Sequence, residues 1–257
     1  MVHCVDLCIR KASFLKRFGA GLLDAILLCI LATAVAFVLS YVFGYDSYSD
    51  ELNAAYNEYE LEYGVKFGIT AEEFELLTEE EKSAYQAASD ALNSDDELVY
   101  TYNMVVTLSI LIVTLSLLAS VILLEFVVPL VLKNGQTVGK KVFALCLVRS
   151  DCVKVSTFQL FVRSVFGKFT IELMVPIYIL IMLIFGATGL AGLLIVFALL
   201  IAEIVIISAT QSNSLIHDLI ASTAVVDMSL QRIFNSSDEL LEYKNKLHAE
   251  RVANSDY

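Results

Sequence analysis

Four carboxylates lie inside long apolar stretches of this chain: Asp24, Glu125, Glu172 and Glu203. An ionisable group within a bilayer span is costly and normally faces a partner or a water-filled cavity. Glu125 and Glu172 each have a proline four residues on, Pro129 and Pro176. Proline lacks the N–H that would bond the carbonyl four residues earlier, and that carbonyl belongs to the glutamate itself. Each site therefore pairs a carboxylate with a freed backbone oxygen, the kind of oxygen cluster that holds Na⁺ or exchanges H⁺ at broken membrane helices. The competing reading is packing: prolines as ordinary kinks and carboxyls hydrogen-bonded between helices. Both readings stand at this point.

The elements that must position these groups are membrane spans. Of the 257 residues, 58% are hydrophobic, above the roughly half expected of a soluble domain, and the excess sits in a few blocks. Span one covers about 18–43 and span two 104–132, each longer than the ~20 residues needed to cross the hydrocarbon core. The block 169–209 is too long for one helix and breaks at Gly186-Ala187-Thr188-Gly189, which predicts a hairpin of spans three and four. Lys and Arg cluster before span one, between spans two and three, and after span four. With four spans all three clusters fall on one side, so both termini are expected in the cytosol. At ~1.5 Å per residue, the four carboxylates then gather in the cytoplasmic half of the bilayer. Gly21-x3-Ala25 predicts a close helix approach on span one.

The fold class expected is an all-α polytopic membrane protein of about four transmembrane helices, with a helical acidic insertion and a short amphipathic, partly β-like inner loop. The segments are 1–43 (N-terminus and span one), 44–103 (acidic extracytoplasmic insertion), 104–132 (span two), 133–168 (basic cytoplasmic loop), 169–209 (the hairpin) and 210–257 (cytosolic C-terminal segment). The net charge of −12 is unevenly distributed: residues 44–102 hold 16 of the 29 acids, while 133–168 hold seven bases and one acid. In the insertion, Thr70-Ala71-Glu72-Glu73 and Thr78-Glu79-Glu80-Glu81 fit the helix capping box. In the inner loop a β-like run, Val142 to Val148, precedes a turn at Ser150-Asp151-Cys152. Ser156 or Thr157 then caps an amphipathic helix whose Arg163 and Lys168 are expected to snorkel to lipid headgroups.

Gly135-Gln136-Thr137-Val138-Gly139-Lys140-Lys141 is not a P-loop, because the glycine spacing is short and Lys141 replaces the Mg²⁺-binding hydroxyl. No nucleophile–base–orienter set emerges, so an enzyme is not expected and no cofactor is implied. Cys4-x3-Cys8 with His3 lacks a second ligand pair, which leaves any metal unknown. The basic stripe lies against the bilayer, so no nucleic acid is expected.

Four segments resemble the bacterial RDD family of membrane proteins, named for one Arg and two Asp. They are Arg17-Phe18-Gly19-Ala20-Gly21-Leu22-Leu23-Asp24, the Gly135–Lys141 run, Ser156 through Arg163, and His217-Asp218-x-x-Ala221-x-Thr223-x-Val225. On that resemblance the motif residues are Arg17, Asp24, Gly135, Thr137, Gly139, Lys140, Arg163, His217, Asp218 and Thr223, with Asp218 as the second Asp. Some members have been proposed as cation/proton antiporters. The resemblance and the carboxylates together imply a monovalent cation/proton transporter, or a subunit of one, in the cell membrane. Four helices are few for such work, so a homo-oligomer or a membrane-protein partner is expected besides the lipid bilayer. The alternative is a non-transporting scaffold or assembly factor.

Overall fold

The computed structural model describes residues 12–132, 134–184, 189–209 and 215–255. His3, Cys4, Cys8 and the Gly186-Ala187-Thr188 part of the hairpin break lie outside these residues. In chain order the elements are α1 (Phe14–Phe43), α2 (Tyr45–Tyr63), α3 (Ala71–Glu75), α4 (Glu79–Ser94), α5 (Asp96–Val121), α6 (Val128–Val131), α7 (Val138–Val142), β1 (Leu145–Arg149), α8 (Thr157–Phe161), α9 (Val175–Ile184), α10 (Gly189–Ala209), α11 (Ile216–Ile220), β2 (Thr223–Asp227) and α12 (Ser237–Ser255). Two π-helical segments complete longer rods. Ile122–Val127 joins α5 to α6, and Val162–Met174 joins α8 to α9.

Among the described residues three helical runs are long and apolar enough to cross a membrane: Phe14–Phe43, Asp96–Val131 and Thr157–Leu183. The fourth expected span corresponds to α10, whose described apolar stretch Ala191–Ile206 is shorter than those three. One boundary differs from expectation. The amphipathic helix of the inner loop and the third span are one continuous run, because no proline separates Phe161 from Phe169 and Gly167 stays inside the π-helical segment.

The chain divides into two compact units, Met1–Ala32 with Leu117–Tyr257, and Thr33–Ser116. The second unit holds the acidic helices. Both capping boxes form there: the Thr70 and Thr78 hydroxyls accept the N–H of Glu73 and Glu81, whose carboxylates accept the threonine N–H in return. Ala88 and Leu92 of α4 are buried. Phe67 packs edge-on against Tyr56 and Tyr85, and Tyr85 against Phe74. Apolar faces and rings hold these helices together while most of their acids stay in solvent.

The first unit is organised by a two-stranded antiparallel sheet that pairs Leu145 with Asp227 and Arg149 with Thr223. Successive strand side chains point to opposite faces. Leu145, Leu147 and Val225 pack with Ala12, Ala20 and Leu160, whereas Cys146, Val148, Ala224 and Val226 form a second cluster. The strand pair thereby draws the inner loop to the segment after α10. Cys152 sits in the turn with φ +68°, the left-handed region that favours glycine.

A buried ion network as the candidate functional site

Arg163 is the centre of the site. It is 3% exposed and lies in the π-helical segment between α8 and α9. Its Nε donates to Asp218 Oδ1 at 3.0 Å, its Nη2 meets His217 Nε2 at 2.7 Å, and its Nη1 stands 3.6 Å from Glu125 Oε2. The expected snorkelling of Arg163 is therefore overturned: it points into the protein, where carboxylates replace water around the guanidinium. Gly167, one turn on, makes this possible, since an added Cβ there would stand 2.6 Å from His217 Cβ and 2.7 Å from its Cα. Without that close approach α11 would be held away from Arg163.

The His217 tautomer follows from its partners. A guanidinium only donates, so Nε2 accepts, and the Nδ1–H donates to Glu172 at 2.6 Å. The ring is neutral, and burial with Arg163 beside it pushes its pKa below the ordinary histidine value. Burial would raise the Asp218 carboxyl, but the surrounding opposite charges, Arg163 and Arg17 among them, hold it well below the usual carboxylate range. Thr223 Oγ1 also donates to Asp218 Oδ1 at 3.2 Å.

Glu125 lies in the π-helical turn between α5 and α6 and is 2% exposed. Lys168 donates to its Oε1, while Lys140 Nζ stands 4.0 Å from Oε2. Oε2 accepts no hydrogen bond among the described residues. The carbonyl freed by Pro129 is engaged within the protein, because the Ser164 hydroxyl donates to it at 2.7 Å. Lys140 is 8% exposed, and among the described residues its Nζ has one hydrogen-bond acceptor, Thr137 Oγ1 at 3.3 Å. Burial, with Arg163 nearby, lowers its pKa to about 8.

Asp24 belongs to a separate arm. Its carboxylate accepts the Thr137 hydroxyl and, at 2.7 Å, the Gly139 N–H. Thr137 in turn caps α7 by accepting the Lys140 N–H. Gly139 is required here, since a Cβ would collide with the Ala20 carbonyl and stand 2.9 Å from the Asp24 carboxyl. The close approach expected at Gly21 is made at Gly139 instead, because a Cβ on Gly21 meets nothing within 4 Å. Gly135, with φ +60°, makes the turn that leads into this segment. Arg17 does not reach Asp24; its Nη2 is 3.4 Å from Asp218 Oδ2.

The structure thus links Glu125, Glu172 and Asp218 through Arg163 and His217, and ties Asp24 to α7, which carries Lys140. The carboxylates gather with cations between them rather than against one another. Glu203 falls in α10, and its side chain lies outside what the structure describes. Sequence reasoning did not assign Ser164, Gly167 or Lys168 to the site. The signal was their spacing, since Gly167 lies four residues after Arg163 and Lys168 four after Ser164, each pair on a shared helix face.

The RDD family model matches residues 11–222, most of the chain. The chain belongs to the RDD family. RDD proteins are membrane proteins, in agreement with the three long apolar helices. No curated relative and no solved structure matches the chain. The RDD match ends one residue before Thr223, so β2, which completes the sheet and bonds Asp218, extends the site beyond the matched region. Arg17 and Asp24 do not bind each other; each holds a different arm of the network.

Proposed function

We propose that this RDD protein exchanges a monovalent cation for a proton, alone or as a subunit, with Glu125 as cation ligand and Lys140 as proton carrier. One observation carries the reading: a buried carboxylate oxygen, Glu125 Oε2, without a hydrogen bond among the described residues and 4.0 Å from the buried ammonium of Lys140. Charge balance supports a ratio of one to one. Arg17, Lys140, Arg163 and Lys168 offset Asp24, Glu125, Glu172 and Asp218 while His217 is neutral. Loss of the Lys140 proton leaves one negative charge, and one bound cation restores neutrality. The pKa of about 8 at Lys140 places that step near physiological pH.

The direction of the pH effect follows. Below about pH 8 the ammonium occupies the site electrostatically; above it the amine is neutral and Glu125 is free to attract a cation. Cation uptake should therefore rise with pH. In proteoliposomes under a pH gradient, Na⁺ or K⁺ flux is expected from the native chain, with half-activation near pH 8. Glu125→Gln should abolish it, and Lys140→Met should bind cation without pH dependence. Folded native protein that shows no flux of Na⁺, K⁺, Li⁺ or H⁺ overturns the reading.

The membrane arrangement proposed with it has α10 as a fourth span and both termini in the cytosol, supported by the three clusters of Lys and Arg. Ser83 is exposed, and Ser83→Cys should react with an impermeant thiol reagent on intact cells; protection there overturns the orientation. A scaffold or assembly role has one observation in its favour. Asp24 is engaged by the chain's own Thr137 and Gly139, as a purely structural clamp would be. Absence of flux would favour that role.

A further inference from the structure

Beside the ion network lies a cavity of about 590 Å³, within the ~300–1,000 Å³ range of small-molecule sites. Its lining is mixed in character. Phe18, Leu22 and Leu28 of α1 give it apolar surface, and Arg17, Lys140 and Lys168 give it positive charge. The carboxylates that also line it are already engaged: Asp218 by Arg163, Glu172 by His217, and Asp24 by Thr137 and Gly139. Lys140, in contrast, carries three N–H donors and has a single acceptor among the described residues. The cavity thus offers apolar surface together with positive charge and one incompletely matched ammonium, Lys140.

We propose that this cavity binds an anionic phospholipid, with the phosphate between Arg17 and Lys140 and an acyl chain along Phe18, Leu22 and Leu28. Basic pockets between membrane helices hold anionic headgroups in this way, through charge and N–H donation to phosphate oxygens. A zwitterionic lipid fits the apolar wall equally well but brings its own cation to a site already lined by four, Arg17, Lys140, Arg163 and Lys168. A water-soluble phosphate meets the donors and leaves the wall uncovered. The site does not depend on the exchange reading, since binding is measured without flux.

The chain contains no tryptophan, so Phe18→Trp places a single fluorophore on the cavity wall. The full-length variant is reconstituted in phosphatidylcholine vesicles containing a minor fraction of brominated phosphatidylglycerol or brominated phosphatidylcholine. The expected result is quenching several-fold stronger, mole for mole, by the brominated phosphatidylglycerol. Adding Arg17→Gln should bring the ratio of the two to one. Adding Gly21→Leu should do the same by filling the cavity, and because a Cβ at Gly21 meets no atom within 4 Å, this variant keeps the fold even where Arg17→Gln does not. Equal quenching by both lipids overturns the proposal. So does a ratio unchanged by Gly21→Leu, which would trace the selectivity to the basic surface alone. Loss of selectivity on adding glycerol 3-phosphate also overturns it and identifies a soluble phosphate site.

Discussion

The two units of this chain use carboxylates in opposite ways. In residues 33–116 the acids are mostly solvated. Lys82 meets Glu75 and Glu79, but those acids are 80% and 93% exposed, and such pairs contribute about 0–1 kcal/mol. Order there comes from caps, aromatic edges and a small apolar face. In the other unit the acids of the ion network, Asp24, Glu125, Glu172 and Asp218, are withdrawn from solvent and each has a cation or a fixed donor, while Asp151 and most acids of α12 stay exposed. Asp218, fully buried, faces Arg163 and Arg17; Glu125, 2% exposed, faces Lys168, Arg163 and Lys140. An acidic residue in the first setting is replaceable one at a time. In the second setting a partner left behind is a buried, uncompensated charge, so the residues stand or fall together.

The largest effect is expected at the hub. Arg163→Met leaves Asp218 and His217 without their shared donor and takes one counter-charge from Glu125. Removing one partner of a buried pair costs about 3–5 kcal/mol, so little folded protein should be recovered in detergent, with a large drop in melting temperature. Combining it with Asp218→Leu should recover part of the loss, because the second change removes the stranded charge. If the two losses simply add in a double-mutant cycle, Arg163 and Asp218 act independently and the network is not a unit.

Asp24 is expected to come next. Asp24→Leu strands two buried donors, the Thr137 hydroxyl and the Gly139 N–H, at a cost of about 1–3 kcal/mol for each buried group left unsatisfied. Asp24→Asn keeps one acceptor oxygen for Gly139 and should lose about half as much in melting temperature. If Asn is as damaging as Leu, charge rather than hydrogen bonding is what α7 requires from this residue, and Asp24 joins the ion network instead of standing beside it.

The difference between the units also explains what the sequence disclosed. The capping boxes at Thr70 and Thr78 were readable because a cap is local: donor and acceptor lie within three residues. The apolar blocks were readable because a span must be continuous. Within the buried network, residue types and approximate depth were legible, which is why Glu125 and Glu172 stood out; Asp218 came only from the RDD resemblance. Their partners were not, since Arg163 and Asp218 are 55 residues apart and Lys168 and Glu125 are 43 apart. A positive residue near a span end satisfies the snorkelling rule equally well whether it turns toward lipid or inward. What turns Arg163 inward is α11, which presents His217 and Asp218 to it. The strand β2 that follows α11 pairs with β1, and that long-range pairing leaves no trace in local periodicity. Glycines misled for a related reason. Gly21 matched a helix-packing pattern but faces open space, whereas Gly139 and Gly167, which the sequence analysis gave no packing role, carry the close approaches.

The smallest effect is expected at Thr78, in the acidic unit. Thr78→Ala removes the hydroxyl that accepts the Glu81 N–H at 3.3 Å, but the Glu81 carboxylate still accepts the Thr78 backbone N–H at 2.8 Å. Only half of the box is lost, and an N-cap threonine replaced by alanine costs about 1 kcal/mol. A global melt will barely register a change confined to one exposed helix end, so the measurement is amide hydrogen exchange. The first turn of α4 should exchange about fivefold faster, which is 1 kcal/mol expressed as an equilibrium ratio, with no change in β1 or β2. Acid separates the two halves. The hydrogen bond from the Thr78 backbone N–H holds the Glu81 carboxyl below its ordinary value of 4.5, so the unfolded end binds protons before the capped one does. The carboxylate's contribution is therefore complete above that pH and is lost as pH falls through the lower, capped value. In Thr78→Ala the helix end should still loosen on acidification, whereas in Glu81→Gln it should not. Faster exchange in β1 and β2 of Thr78→Ala would break the comparison, because it would mean that an exposed cap and a buried ion network share one cooperative unit.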